Sequence, residues 1–102
     1  MNYTVELSGA AQQDINELLE YLVPKAGETV AINYVGRLKT FLQGFETFPE
    51  RGMRRHDVSL GLRLVGFRRK ATIAFRVQDD LVTILRVYHG GRNIEVADFE
   101  GA

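Results

Sequence analysis

The stretch that decides the fold runs from Leu60 to Arg92 and reads LGLRLVGFRRKATIAFRVQDDLVTILRVYHGGR. It predicts a meander of three antiparallel strands, at about residues 62–67, 71–77 and 81–88, joined by turns at 68–70 and 79–80. In the middle strand, Ile73, Phe75 and Val77 alternate with Thr72, Ala74 and Arg76, which predicts two different faces. The last strand is almost continuously apolar, as is typical of a central strand covered on both sides.

The residues before the meander predict a short strand and two helices. Residues 2–7 alternate between polar and apolar, and Ser8 is a good N-cap for the helix that follows. Apolar residues then recur at helical spacing, with Asp14 predicted on the outer face, until Pro24 and Gly27 end the helix. A second helix starts at Glu28 or Thr29 and ends before Phe48-Pro49, because proline disfavours helical geometry in the residue before it.

The order of elements predicts a two-layer α+β fold. An N-terminal strand and an antiparallel two-helix hairpin are packed on the three-stranded antiparallel meander, with four strands in the sheet in all. Residues 1–102 form a single domain. The polar, Arg-rich residues 48–59 are predicted as a loop, and the weakly patterned tail from residue 93 as a frayed extension or a short edge strand.

Composition excludes several classes of protein. Without cysteine, the chain has no disulfide scaffold, no thiolate zinc site and no Cys nucleophile. Its two histidines lack a metal-ligand spacing, and no phosphate-binding glycine motif is present, so we predict no metal and no cofactor. No stretch resembles a signal peptide or a membrane span, which predicts a cytoplasmic protein with no membrane partner.

The net charge of zero conceals an uneven distribution. Residues 51–92 carry ten basic and three acidic side chains, whereas the remainder of the chain is acidic. A basic sheet supported by acidic helices indicates an anionic partner. A mixed, solvated surface is the equally simple alternative at this point.

Four segments carry a resemblance to a known family. They are FPERG after the second helix, GLR at the start of the meander, ATIAFRV in its middle and VTILRVYHGGR at its end. In this order they resemble the ParE branch of the RelE/ParE toxin superfamily, the toxins of bacterial type II toxin–antitoxin systems. ParE-like members poison DNA gyrase, whereas RelE-like members cut messenger RNA on the ribosome.

The chain departs from the RelE pattern of nuclease residues. Thr72 stands where RelE-like proteins have an arginine in the middle strand, and the C-terminal tyrosine is missing. A nuclease would have to use Arg63, His89 and Arg92, with His89 as the acid or base. The resemblance therefore implies a non-enzymatic inhibitor of gyrase and replication, and a ribosome-dependent mRNA endonuclease is the alternative.

Two binding surfaces are predicted with the function. The gyrase-facing surface comprises basic residues at the end of the sheet: Arg63, Arg68, Arg69, Arg86, His89 and Arg92. For Arg76 and Arg86, pairing with helix carboxylates is the alternative, and His56 is predicted to be plain surface. The resemblance also implies a ParD-like cognate antitoxin in a hetero-oligomer, which contacts operator DNA only through the antitoxin. Apolar residues predicted to bind it, unless they are core, are Leu19, Val23, Tyr34 and Leu64.

A nucleic-acid-binding module is a further alternative from a different class. It would use the basic meander together with stacking aromatic side chains, namely Phe67, Phe75 and Tyr88. Such side chains would have to be exposed on one face of the sheet.

Overall fold

The structure, a computed structural model, describes residues 2–68, 70–89, 94 and 96–99. Two helices, α1 (Gly9–Ala26) and α2 (Glu28–Gln43), follow the first strand directly and are separated by Gly27 alone. The strands are β1 (Thr4–Leu7), β2 (Met53–Arg54), β3 (Arg63–Phe67), β4 (Ala71–Gln78) and β5 (Leu81–His89). Single 3-10 turns lie at Gly44–Glu46 and Val96–Phe99.

The five strands form one mixed sheet in the order β1-β5-β4-β3-β2. The meander β3–β4–β5 is antiparallel as predicted, but β1 pairs in parallel with β5. The prediction of four strands is wrong, because β2 adds a fifth at the far edge, inside the segment predicted as a loop. Two residues are too short to show the period of a strand, so the sequence carried no signal for β2.

The helix boundaries are set by caps. Ser8 is the N-cap of α1, and its hydroxyl oxygen accepts from the Ala11 amide at 3.0 Å, as predicted. The prediction that Pro24 helps to end α1 is wrong, since the helix continues to Ala26. A proline in the last turn removes a single backbone hydrogen bond, and the chain leaves the helix only at Gly27, whose φ is +92°.

The sheet is covered on both faces. The helices pack on one face, where Ile73, Phe75 and Val77 lie with the main core, so the alternation predicted for β4 is confirmed. On the other face, Ala74 belongs to a smaller cluster that also contains Leu62, Leu85, Tyr88 and Phe99. Residues 96–99 form a 3-10 turn that buries Phe99, so this part of the predicted tail is neither an edge strand nor a frayed end. Residues 93, 95 and 100–102 lie outside the described residues.

A β-bulge in β5 changes which side chains face the helices. Ala74 pairs with Arg86 and Phe75 with Ile84, so Leu85 is the extra residue between them. Before the bulge Val82 and Ile84 lie in the helix-side core, and after it Val87 does. A bulge re-aims the side chains beside it, and Arg86 follows the extra residue directly.

Candidate functional surfaces

A buried carboxylate on α1 forms several hydrogen bonds to β5. Asp14 is only 3% exposed, and it accepts from Arg86 in a bidentate pair, with Nε at 2.7 Å and Nη2 at 2.9 Å. One of its oxygens also accepts from the Val87 amide at 2.9 Å. The prediction that Asp14 lies on the outer helix face is wrong, because spacings of three and four place it beside Ala11 and Leu18 on the buried stripe.

Strand lengths explain why this carboxylate is buried. β1 is four residues long and pairs only with Leu81 to Ile84, so the rest of β5 has no neighbouring strand on that side. The start of α1 takes its place: the Ser8 hydroxyl donates to the Leu85 carbonyl at 2.8 Å, and Asp14 accepts from Val87. Helix side chains thus satisfy backbone groups that a longer β1 would have bonded.

The network continues to the C-terminal turn. Asp98 accepts from the Tyr88 hydroxyl at 2.8 Å and from Arg86 Nη1 at 3.4 Å. The hydrogen bond from Arg86 to Asp14 holds the pKa of the guanidinium above its usual range. Burial, followed by the hydrogen bond to Asp98, raises the pKa of the Tyr88 phenol. Arg86 was predicted to face the target, with pairing to a helix carboxylate as the alternative. Its guanidinium forms a salt bridge with Asp14 of α1, so the alternative is the observed arrangement.

The two described members of the predicted nuclease set are far apart. Arg63 pairs with Phe75, whereas His89 pairs with Ala71, so four residues and one intervening strand separate them. Strand geometry puts their Cα atoms about 16 Å apart. Ile73, which is fully buried, occupies the middle of that diagonal. Arg92 lies outside the described residues.

The other predicted target-facing residues occupy one end of the sheet. Arg68 is exposed in the β3–β4 turn at a φ of +50°, with its guanidinium 5.6 Å from the centre of the Phe67 ring. Lys70 in the same turn is also exposed, and Arg69 lies outside the described residues. His89 is at the same end, where its ring packs 5.0 Å from that of Tyr21.

Arg76 and His56 hold the loop between β2 and β3. Arg76 was weighed as a partner of helix carboxylates, but it donates to the Leu60 carbonyl at 3.1 Å and to the Ser59 hydroxyl. His56 Nδ1 accepts from the Gly61 amide at 3.0 Å. His56 is exposed, yet this bond gives it a defined orientation that the sequence did not predict.

The four residues predicted to bind an antitoxin do not form one surface. Leu19 and Tyr34 are half-buried against the helix-side core, and burial raises the pKa of the Tyr34 phenol. Leu64 packs against the cluster on the opposite face of the sheet. Val23 is exposed.

An open groove runs along the outer side of α2. Its volume is about 750 Å³, and it meets the end of β3 at Phe67 and Arg68. Residues of α2 complete its lining: Ile32, Asn33, Gly36, Arg37, Thr40 and Phe41. The groove thus combines apolar and basic side chains, and Val30 and Ile32 on the same helix are more than half exposed.

The aromatic side chains predicted for a nucleic-acid-binding module are not exposed on the sheet. Phe67, Phe75 and Tyr88 are all buried, so they offer no stacking platform to a nucleic acid. Within the described part of the chain, no group of three His, Cys, Asp or Glu side chains is placed to hold a metal ion. Neither described helix has the length and apolar character needed to cross a bilayer.

Several solved structures share the architecture of this chain. The chain matches a structure of the chromosomal ParDE toxin–antitoxin system from P. aeruginosa with a TM-score of 0.75 and 19% identity, covering 85% of this chain and 95% of that one. It matches the RelBE2 toxin–antitoxin complex from Mycobacterium tuberculosis with a TM-score of 0.61 and 22% identity, covering 88% of this chain and 100% of that one. A conserved hypothetical protein from Helicobacter pylori matches with a TM-score of 0.54 and 16% identity, covering 90% of this chain and 98% of that one. The fold is therefore that of ParE- and RelE-type proteins.

The sequence itself places the chain within this group. The sequence model for the ParE toxin of the type II toxin–antitoxin system parDE matches residues 5–94, which is most of the chain. No curated protein matches it in sequence. The chain belongs to the ParE family of type II toxins, as its sequence resemblance predicted.

Proposed function

We propose that this ParE-family chain acts by binding DNA gyrase and blocking replication, and that a cognate antitoxin neutralises it. The observation that supports binding over cleavage is the separation of Arg63 from His89 by the buried core. General acid–base catalysis requires groups within about 3 Å of the atoms they serve. Two side chains on either side of Ile73, with Cα atoms about 16 Å apart, do not meet at one phosphate.

The surface offered to gyrase is the end of the sheet at the β3–β4 turn. Arg68 and Lys70 are exposed there, and no described carboxylate forms a salt bridge with either of them. Exposed cations without a described salt-bridge partner suit an anionic target such as gyrase-bound DNA or an acidic protein surface. Arg86 is left out of this surface because Asp14 and Asp98 occupy its guanidinium.

The test is a supercoiling assay with purified chain, gyrase, ATP and relaxed plasmid. We expect inhibition with accumulation of linear DNA. Arg68→Glu should weaken inhibition at least tenfold, whereas Lys39→Glu, the same charge change at an exposed position of α2, should not. Normal supercoiling, together with cuts in ribosome-bound messenger RNA that vanish in His89→Ala, would replace this proposal with the nuclease.

The antitoxin contact is proposed on α2, along the groove that ends at Phe67 and Arg68. The exposed Val30 and Ile32 supply apolar area, and Arg37 and Arg68 supply positive charge. This combination suits an amphipathic segment with acidic residues beside its apolar stripe. Val23 stays in the proposal as an exposed apolar residue of α1, whereas Leu19, Tyr34 and Leu64 are largely occupied by packing.

Co-expression with the antitoxin encoded beside the toxin tests this contact. Burial of an isoleucine side chain contributes about 1.5–3 kcal/mol, so Ile32→Asp should weaken the complex by one to two orders of magnitude. Gln13→Asp, which adds the same charge to the exposed face of α1, should leave the affinity unchanged. If both variants bind the antitoxin with equal affinity, the antitoxin contacts another face of the chain.

A further inference from the structure

A second pocket lies apart from the groove and from the β3–β4 turn. It has a volume of about 330 Å³, close to the lower limit of small-ligand sites. It lies at the end of the sheet where β3 begins and β4 ends. Its lining is almost entirely polar: Tyr3, Glu50, Arg54, His56, Gly61, Arg63, Val77 and Asp79.

Two arginines stand side by side in this pocket. Arg54 on β2 and Arg63 on β3 are directly paired residues, so their side chains project from the same face. Like charges directly opposite each other destabilise a sheet. Among the described residues, no carboxylate oxygen lies within 4 Å of either guanidinium. The repulsion is relieved when an anion binds between the two guanidinium groups, and phosphate is an anion whose oxygens match guanidinium geometry.

The third donor is held in place by the loop. Because His56 Nδ1 accepts from the Gly61 amide, the proton of the neutral ring lies on Nε2, which is then a donor. The loop is braced by Arg76, which donates to Leu60 and Ser59, and by the ion pair of Arg55 with Asp57 at 2.9 Å. The site therefore exists before any ligand arrives, which lowers the entropic cost of binding.

Acceptors line the remainder of the pocket. Glu50 and Asp79 contribute carboxylates, and neither forms a salt bridge with another described residue. Tyr3 contributes a hydroxyl. Carboxylates repel a bare anion but accept from hydroxyl groups. A ligand that combines a phosphoryl group with hydroxyls satisfies both parts of the lining.

We propose that this pocket binds a sugar phosphate, with the phosphoryl oxygens on Arg54, Arg63 and His56 and the sugar hydroxyls on Glu50 and Asp79. A free nucleotide and a nucleotide within a nucleic-acid strand share this chemistry. The inference does not depend on the proposed action on gyrase, since it concerns binding by the purified chain alone.

The test is a titration of the purified chain, followed by NMR at the Gly61 and Arg63 amides. The ligands are AMP, inorganic phosphate, adenosine and a short single-stranded RNA. We expect saturable shifts with AMP, and at least tenfold weaker binding of phosphate and adenosine. If the RNA binds more tightly than AMP, the ligand is a nucleotide within a strand. If AMP binds more tightly, the ligand is a free nucleotide.

One substitution separates loss of binding from loss of fold. Arg54→Glu places opposite charges across β2 and β3, so it should raise the melting temperature while weakening AMP binding at least tenfold. Lys39→Glu, which makes the same charge change at an exposed position of α2, is the matched control and should bind AMP normally. Three results would each overturn the proposal: no saturable shift with AMP, equal binding of AMP and phosphate, or undiminished AMP binding by Arg54→Glu.

Discussion

Asp14→Ala removes the carboxylate on which the contact between α1 and β5 depends. It leaves Arg86, whose side chain is 15% exposed, without its bidentate partner, and it leaves the Val87 amide without its 2.9 Å acceptor. The substituted methyl group fills little of the vacated space. The folded state therefore loses stability both from a buried charge without its partner and from a small cavity, and the unpaired charge contributes more.

The expected magnitude follows from these contacts. Breaking a buried ion pair by removing one partner costs about 3–5 kcal/mol. Partial exposure of Arg86 and its remaining contact with Asp98 at 3.4 Å favour the lower end. The unpaired Val87 amide adds about 1 kcal/mol. We expect a loss of about 4 kcal/mol in the free energy of unfolding, equivalent to at least ~15 °C in Tm for a domain of this size.

Urea unfolding followed by circular dichroism at neutral pH measures this loss. Asn16→Ala, an exposed substitution on the same helix, is the control and should change stability by less than about 0.5 kcal/mol. Replacing both charges, as in Asp14→Leu with Arg86→Met, should recover most of the loss because no buried charge is then left alone. A loss below about 1 kcal/mol in Asp14→Ala would refute the reasoning.

Three further outcomes are expected. Gly52→Ala should cost about 3 kcal/mol in urea unfolding, since its Cβ would lie 2.1 Å from the Leu64 carbonyl oxygen at a φ of +79°. Gly36→Ala should gain about 1 kcal/mol in the same assay, because outside its chain neighbours and its own helix backbone no atom lies within 4 Å of the new Cβ. Equal stability changes in the two variants would contradict this expectation. Ser8→Ala should cost about 1–2 kcal/mol through loss of the cap and of its bond to β5, and an unchanged urea midpoint would refute this. The raised pKa of Tyr88 keeps its phenol protonated in the folded state, while the same phenol in the unfolded chain ionises above about pH 10. The stabilisation is therefore fully present below that pH and falls as pH rises. Tyr88→Phe should reduce this fall in the melting temperature, whereas an equal fall in both proteins would exclude the effect.

The sequence predicted most of the fold because the segments with periodic apolar residues are long enough to show the period of a helix or a strand. The alternation of Ile73, Phe75 and Val77, the Ser8 cap and both hairpin turns are all present. The two-residue β2 and the bulge at Leu85 had no such signal. A bulge shifts the period by one residue, and only the pairing of β5 with β4 reveals it.

The candidate sites were harder to predict than the fold. The burial of Asp14 could have been predicted, because its spacing from Ala11 and Leu18 places it on the buried face of the helix. The pairing of Arg54 with Arg63 was not readable, since it depends on the register of a strand with no pattern of its own. Local periodicity predicts faces, but it does not predict which distant residues meet.

The parallel pairing of β1 with β5 also has a consequence for synthesis on the ribosome. The first strand leaves the ribosome early, but its neighbour is the last strand of the sheet, and Ser8 bonds to a residue 77 positions later. Domains are made from the N-terminus onward, and contacts between distant residues form late. A nascent chain therefore cannot complete its sheet until β5 has emerged. A truncated translation product that stops before β5 lacks the strand that joins β1 to β4, so the folded chain forms only after β5 has been synthesised.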